Sequence, residues 1–533
     1  MKIIIAEKPS VAAEFAKALN ARREEGFFRN GEWIITFCVG HLLQLAEPRD
    51  YDENLKQWSL SSLPIIPENF RHQPIGRTRK QLSVIKRLLR QEKLDEVILA
   101  TDAGREGELI GRLVLSHCGY MDYSRVKRFW VSEFPTPQVI KRGLSSLRDS
   151  SEFDRLYQNG LYRQYSDWLC GINFSRFFSI KLDGVFAFGR VQTAVLALIC
   201  DREEEIKAFV PKDYFQLKGF FFKENDRFSG FYIEEGKTRF SDKSHLDSLA
   251  EKNFSSVKTA KVIRIEKKKE QKPPPALYNL TALQRETNRR YGFSAHKTLT
   301  LAQKLYEHYR VLSYPRTPSR VLGEADVAVA REKVSTLKSF YPDIFALVDE
   351  TLLSSKNRRV FNNEKLEDHH ALIPLAPLPD SAAEDEKKVY SLVLRTFAAV
   401  FSPDYRYISI EADVEVNGLV FQVKEKKVIE AGWKKILDFN EKGSDNDSDE
   451  DQELCDMEEG DTPSFERYEI LSKKTTPPSH FTDASILNAM EKPERYCKND
   501  SVTFKGSAGI GTQATRAAII EGLIDHKYLE RKK

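Results

Sequence analysis

The chain opens on an apolar run, Lys2–Ala6 (KIIIA), followed by helical spacing in which Ser10 is placed to cap the first turn. A second short apolar run, Glu96–Ala100 (EVILA), leads through a polar turn into a helix expected from about Glu106 to Ser116. Strands alternating with helices over residues 1–150 predict a parallel sheet covered by helices. Residues 153–206 carry helical spacing in LYRQYSDWLCGINFSRFF and VQTAVLALICDREEEI. From about Phe209 to Ile265 the pattern becomes alternating (YFQLKGFFF, FSGFYI, KVIRI), which predicts antiparallel strands. Gln271-Lys272-Pro273-Pro274-Pro275 is a stiff break. Residues 281–400 read as helical, 406–424 return to strand alternation, and helical spacing resumes at Asp483. Two stretches, 281–314 and 482–528, each read as helix, short turn, helix, an arrangement that lays a helix against nucleic acid.

Composition narrows the class. With 533 residues, 41% hydrophobic and 30% charged, the chain suits a globular protein of three or four domains. No apolar run is long enough to span a bilayer, and Met1 leads straight into a strand without the basic start and apolar core of a signal peptide. The six cysteines include no CxxC pair, which argues against a zinc site or a disulfide framework and for a reducing compartment. The net charge of +4 hides an asymmetry: residues 444–461 hold ten Asp and Glu and no Lys or Arg. Without them 83 basic side chains face 69 acidic ones, a balance of +14 that favours a polyanionic partner such as nucleic acid. The acidic stretch itself, 441–461, reads as a solvated, mobile loop.

Candidate chemistry concentrates in two places. Glu7 follows the first strand, and Asp102 follows EVILA in the run Thr101–Glu108 (TDAGREGE). Loops at the carboxyl ends of parallel strands converge on one crevice, so both carboxylates are expected to face one site, with Glu106 opening the next helix. Hard oxygen ligands of this kind suit Mg²⁺, and Lys8 supplies a cation for a phosphate or a leaving oxygen. These segments resemble the toprim fold of topoisomerases, primases and some nucleases, which carries Glu after its first strand and a DxDxE pattern later. Here Gly104 stands at the middle Asp, leaving Glu7, Asp102 and Glu106 as the metal-binding candidates.

The second place is Val311–Arg320 (VLSYPRTPSR). It resembles the nucleophile motif of type IA DNA topoisomerases of the topoisomerase III kind, with Pro318 where Asp is usual. A phenol with a pKa near ~10 needs cationic help to attack, and Arg316 can supply fixed charge to phosphate oxygens. Further segments resemble the same family: Val39–Leu43 (VGHLL), Asn173–Arg176 (NFSR), Gly189–Thr193 (GRVQT), Glu367–Pro374 (EDHHALIP) and Gly509–Ala517 (GIGTQATRA), the last with Gln513 where Pro is usual. Glycines ahead of a helix expose N–H groups to a phosphate.

The resemblance spans roughly residues 1–530 and implies a multidomain α/β plus α and β toroid. Its expected parts are a toprim domain over 1–150, a helical DNA-binding domain over 151–208 and 470–533, a strand-rich arch over 209–275 and 405–469, and a helical tyrosine domain over 276–404. It implies catalysis by Tyr314, Glu7, Lys8, Arg316 and His369. DNA binding is expected from Arg176, Arg190, Gln192, Thr512 and Thr515. The implied reaction is single-strand cleavage to a 5′-phosphotyrosyl intermediate, strand passage and Mg²⁺-assisted resealing. The implied substrate is the single-stranded region of supercoiled or catenated DNA, in nucleoid or plasmid, handled by a cytoplasmic monomer. With no GxxxxGK[ST] loop, ATP is not expected to take part. Two other classes fit parts of the pattern: another toprim enzyme, which would need no Tyr314, and a catalytically weak single-strand-binding relative.

Overall fold

Why the first strand is apolar from Ile3 to Ala6 is answered by its place in the sheet. In a computed structural model, which describes residues 1–532 except 92, 132–135, 225, 255–256, 368, 438–456 and 497–508, Lys2–Ala6 is a central strand of a seven-stranded sheet. It pairs in parallel with Trp33–Phe37 on one side and Glu96–Ala100 on the other, and Glu96–Ala100 pairs in parallel with Val126–Arg128. Ile3 and Ile5 face one core beneath the helices Arg79–Gln91 and Arg105–Cys118, while Ile4 and Ala6 face a second core containing Ala12, Phe15 and Ile140. A strand buried on both faces has no polar positions to spare. Both sheet edges turn antiparallel, through Arg22–Glu24 with Phe27–Arg29 and through Val126–Arg128 with Arg148–Asp149.

The first helix, Pro9–Ala18, is not capped by Ser10 as expected. Lys8 takes the cap position without a side-chain cap, and Pro9 starts the helix, its fixed φ being already helical. The helix after Glu96–Ala100 covers Arg105–Cys118 and ends on Gly119 in the left-handed region. A long helix, Asp154–Lys181, packs on it closely enough that a Cβ at Gly160 would lie 3.2 Å from Leu109 Cβ.

The alternating stretch forms a six-stranded antiparallel sheet in the order Lys261–Lys272, Tyr405–Val416, Leu419–Glu430, Asp226–Tyr232, Asp213–Lys223, Ser464–Lys474. Its buried face is aromatic, with Phe221 in contact with Phe228, Phe421 and Phe465. A helix that the alternation did not announce, Lys243–Phe254, closes this core through Leu246, Ala250 and Phe254. The expected acidic loop lies, as far as residue 456, outside the described residues.

The helices Leu280–Tyr291, Ala295–Glu307, Val327–Phe340 and Glu384–Ala399 build a separate core around Leu283, Phe345, Phe361 and Phe397. A smaller core joins Val195 of the helix Arg190–Ala208 to Leu487 and Met490 of Asp483–Glu491 and to Ile520 of Arg516–Asp525. Ala295 belongs to this last core and thereby stitches the two helical bodies together. Among the described residues, no helix is long and apolar enough to cross a membrane.

Candidate active site

The pairing of Ala6 with Ala100 brings the two strand ends level, so Glu7 and Asp102 leave the sheet side by side. The Asp102 amide donates to Glu7 Oε2 at 3.0 Å, and Lys8 Nζ donates to Asp102 Oδ2 at 3.4 Å. Burial, then the neighbouring Asp102, push the Glu7 carboxyl up to about 7 against the pull of Lys8, so Glu7 titrates near neutrality instead of being fully ionised there. For Lys8, burial alone would favour the neutral amine, but Asp102, Tyr314 and Glu7 outweigh it and raise its pKa. Thr101 Oγ1 donates to the Gly107 carbonyl at 2.7 Å, and a Cβ at Gly107 would lie 2.1 Å from the Asp102 carbonyl oxygen. The loop carrying Asp102 is thus pressed against the first turn of the following helix.

Glu106 departs from the expected convergence. Its Oε1 pairs with His41 Nε2 at 2.5 Å, and that hydrogen bond, opposed by burial, lowers its pKa. His41 belongs to the VGHLL segment, so that segment reaches the acidic corner through this pair. Among the described residues, no three His, Cys, Asp or Glu side chains come together to hold a metal. Glu7 and Asp102 still place two hard carboxylates together, which fits a hydrated Mg²⁺ that keeps several waters and uses one or two carboxylates. A closed protein cage does not fit.

Tyr314 comes from a different core. Its segment is laced down on both sides: Ser313 N donates to the Ile373 carbonyl (3.1 Å), Thr317 Oγ1 to the His369 carbonyl (2.8 Å), and Asn279 Nδ2 to the Pro318 carbonyl (3.0 Å). The Tyr314 ring lies against Tyr306 (centroids 5.6 Å, edge-on) and His369 (4.6 Å), with Lys8 Nζ 5.5 Å from its centroid. Burial raises its pKa, Lys8 and Arg316 pull the other way, and Asp102 adds to the rise. The Tyr314 side chain therefore rests as a neutral phenol. Arg316 is held by Gln303, whose amide oxygen accepts from Nη2 (2.7 Å) and Nε (3.1 Å) once oriented to satisfy both groups. A second contact across the same seam pairs Arg310 with Glu14 at 4.0 Å.

The expected DNA contacts divide. A Cβ at Gly511 would lie 3.3 Å from Val191 Cγ1, so the Gly509–Thr515 turn sits on the start of the helix that carries Arg190 and Gln192. Within the turn the Thr512 and Thr515 hydroxyls are 3.0 Å apart. Arg190 Nε donates to Asp167 Oδ1 at 2.7 Å, and Gln192 Nε2 is buried without a hydrogen-bond partner among the described residues. Arg176 is buried and stacked over Trp58 at 5.4 Å, its Nη1 likewise unpartnered. Gln513, where Pro was expected, does not loosen the turn. Its Oε1 accepts from the Thr281 amide (2.9 Å) and hydroxyl, and its Nε2 donates to Glu491 Oε1 at 3.3 Å.

Sequence reasoning missed Tyr306, Gln303, Glu108 and Arg128. The first two look like ordinary positions of an amphipathic helix, and nothing in VKRFW marks Arg128 as buried.

Comparison with known proteins decides the family. A family model described as DNA topoisomerase matches residues 151–533, and one described as Toprim domain matches residues 2–134. The chain belongs to the type IA DNA topoisomerases. It is 35% identical over 546 residues to DNA topoisomerase 3 of Staphylococcus aureus (strain USA300), covering 99% of this chain and 73% of that one. It is 34% identical over 538 residues to DNA topoisomerase 3 of Bacillus subtilis (strain 168), with the same coverage. Full-length topoisomerase I from Thermotoga maritima shares the fold, with a TM-score of 0.70 and 22% identity over all of this chain and 79% of that one. This type IA topoisomerase is therefore an enzyme that changes DNA topology, and its substrate is DNA.

The close approach at Gly107 makes a direct test. Gly107→Ala should force the Asp102 loop away and destabilise the fold by about 1–3 kcal/mol, as overpacking does. Urea denaturation followed by fluorescence measures this; an unchanged midpoint would show that the approach is looser than described.

Proposed function

We propose that this topoisomerase works by transient single-strand cleavage with Tyr314 as nucleophile. The observation that carries the reading is the meeting of Tyr314 with Lys8 across two separately packed cores, beside the Glu7–Asp102 pair. The Tyr314 phenol oxygen attacks the phosphorus, the bond from phosphorus to the 3′-oxygen breaks, and a 5′-phosphotyrosyl bond replaces it. Glu7, titrating near neutrality and therefore able to carry a proton there, hands it to the leaving 3′-oxygen, and the phenol proton passes to water. Lys8 steadies the phenolate as it forms. Arg316 and His369 meet the phosphate oxygens.

Resealing is the reverse displacement, with Glu7 taking back the proton. Glu7 and Asp102, joined by Glu106 when it leaves His41, would hold Mg²⁺. Bound there, the ion supplies Lewis-acid charge to the phosphate and the returning 3′-oxygen. Arg176, Arg190, Gln192, Thr512 and Thr515 hold the strand through phosphate and base contacts. Residues 1–150 act as the toprim domain, 276–404 carry the nucleophile, the strand-rich arch (209–275, 405–469) spans between helical bodies, and 151–208 with 470–533 bind the strand. The enzyme acts as a monomer, without ATP, on supercoiled or linked nucleoid or plasmid DNA in the cytoplasm.

Tyr314→Phe should lower cleavage by about a thousandfold or more while leaving single-strand binding intact. Denaturing electrophoresis of end-labelled single strands reads the covalent adduct, and adduct formation by the variant rejects Tyr314 as nucleophile. A gate that grips one strand needs unpaired DNA, so negatively supercoiled plasmid should relax and positively supercoiled plasmid should resist. Equal relaxation of both signs in topoisomer gels counts against the reading. In chelator, adduct formation should decline as pH rises through about 7, because Glu7 loses the proton that the leaving oxygen needs. Glu7→Gln should remove that limb of the pH profile; a limb that persists in the variant assigns the proton to another group.

A further inference from the structure

Arg128 ends the short strand beside Glu96–Ala100 and is completely buried. Its guanidinium is spent on the backbone around the acidic corner. Nη1 donates to the carbonyls of Leu99 (2.9 Å), Thr101 (2.8 Å) and Phe129 (3.0 Å), and Nη2 to the carbonyl of Asp102 (2.7 Å). Nε donates to Glu108 Oε2 at 2.8 Å, and the Trp130 ring lies 5.0 Å from the guanidinium carbon. Glu108 is also fully buried, and its other oxygen accepts from Arg112 Nε at 2.8 Å. Arg112 is tied in turn to the Ser150 carbonyl (2.6 Å) and Asp154 Oδ1 (2.5 Å).

A buried Arg–Glu–Arg group is weak evidence for stability, since apolar side chains of the same volume often do as well. What an apolar side chain cannot do is turn carbonyls. The Asp102 carbonyl faces Arg128 and is pressed against Gly107, while the Asp102 carboxylate meets Lys8. The Thr101 carbonyl, which shares a planar trans peptide with the Asp102 amide, also faces Arg128, so that amide points the opposite way, to Glu7 Oε2. Reversing the Thr101–Asp102 peptide would withdraw the amide from Glu7. The proposed mechanism leaves Arg128 without a task, and it has no access to substrate.

We infer that Arg128 is a positioning residue for the metal site: by fixing the two peptides on either side of the Asp102 Cα it sets the Glu7 and Asp102 carboxylates for Mg²⁺, and Glu108 with Arg112 holds it in register. The inference rests on Glu7 and Asp102 being the Mg²⁺ ligands. Arg128 then acts on metal affinity and on resealing, through Asp102, and not on strand binding.

The test uses the full chain with Arg128→Lys, the charge-balanced pair Arg128→Met with Glu108→Gln, and Asp102→Asn. The readout is the Mg²⁺ concentration at which the melting temperature of metal-free protein has risen halfway, with single-strand binding measured alongside. Loss of an outer partner of a metal site typically costs about 10- to 100-fold in affinity, so the paired variant should need about tenfold more Mg²⁺, with Arg128→Lys in between. Strand binding should not change. Variants that melt earlier in chelator yet keep the wild-type Mg²⁺ midpoint would reduce Arg128 to a packing role and overturn the inference. If the paired variant does not fold, Arg128→Lys decides alone, and a wild-type midpoint overturns the inference equally. A shifted midpoint in Asp102→Asn with none in the Arg128 variants sinks only the role of Arg128. An unshifted midpoint in Asp102→Asn sinks the metal placement itself, and the inference with it.

Discussion

The parallel register between Lys2–Ala6 and Glu96–Ala100 is the constraint on which the catalytic corner depends. It sets Ala6 opposite Ala100, so two loops distant in sequence deliver Glu7 and Asp102 to one spot. The register is locked because both strands are buried on both faces. A slip by one residue would exchange every side chain between the two cores. The placing of Glu7 and Asp102 at this end of the sheet is therefore fixed by packing in the two cores beneath it.

The same packing dictates the charge states. Two carboxylates and a lysine meet at a half-buried corner, and the outcome is unequal. Glu7 is shifted to titrate near neutrality, Lys8 stays charged, and Tyr314 stays neutral. A pair of titratable groups driven apart by their surroundings is what the proposed reaction asks for, an acid and a cation in one place. The exposed side of the corner behaves otherwise: the Glu106 carboxylate is kept ionised by His41.

Much of this was legible in the sequence because it is written locally. KIIIA and EVILA are apolar after their first residue since both faces are covered, and YFQLKGFFF alternates since one face is wet. The strings around Glu7, Asp102 and Tyr314 carried their own chemistry. What was hidden is whatever depends on distant partners. The helix Lys243–Phe254 falls inside a strand-rich stretch and is stabilised by the aromatic face it covers. Ser10 had the right chemistry for a cap, but Pro9 had already fixed the start of the helix. Arg128 sits in a string of mixed charge, and only the folded sheet turns four backbone carbonyls toward it. Gln513 stands where Pro is usual, and its string gives no sign that its amide oxygen meets Thr281, 232 residues away in sequence.

The seam between the two cores has a logical consequence. Lys8 and Glu14 stand on one side, Tyr314 and Arg310 on the other, and the ion pair that spans it is long and largely exposed on the arginine side. A reactive constellation divided in this way is an AND gate: it computes true only while both halves touch. No separate inhibitor is required to silence it, because parting the halves disassembles it. A strand end carried on the tyrosine at that moment would be out of reach of the acid and the cation that could release it, and custody of the break would pass from chemistry to mechanics until the halves met again.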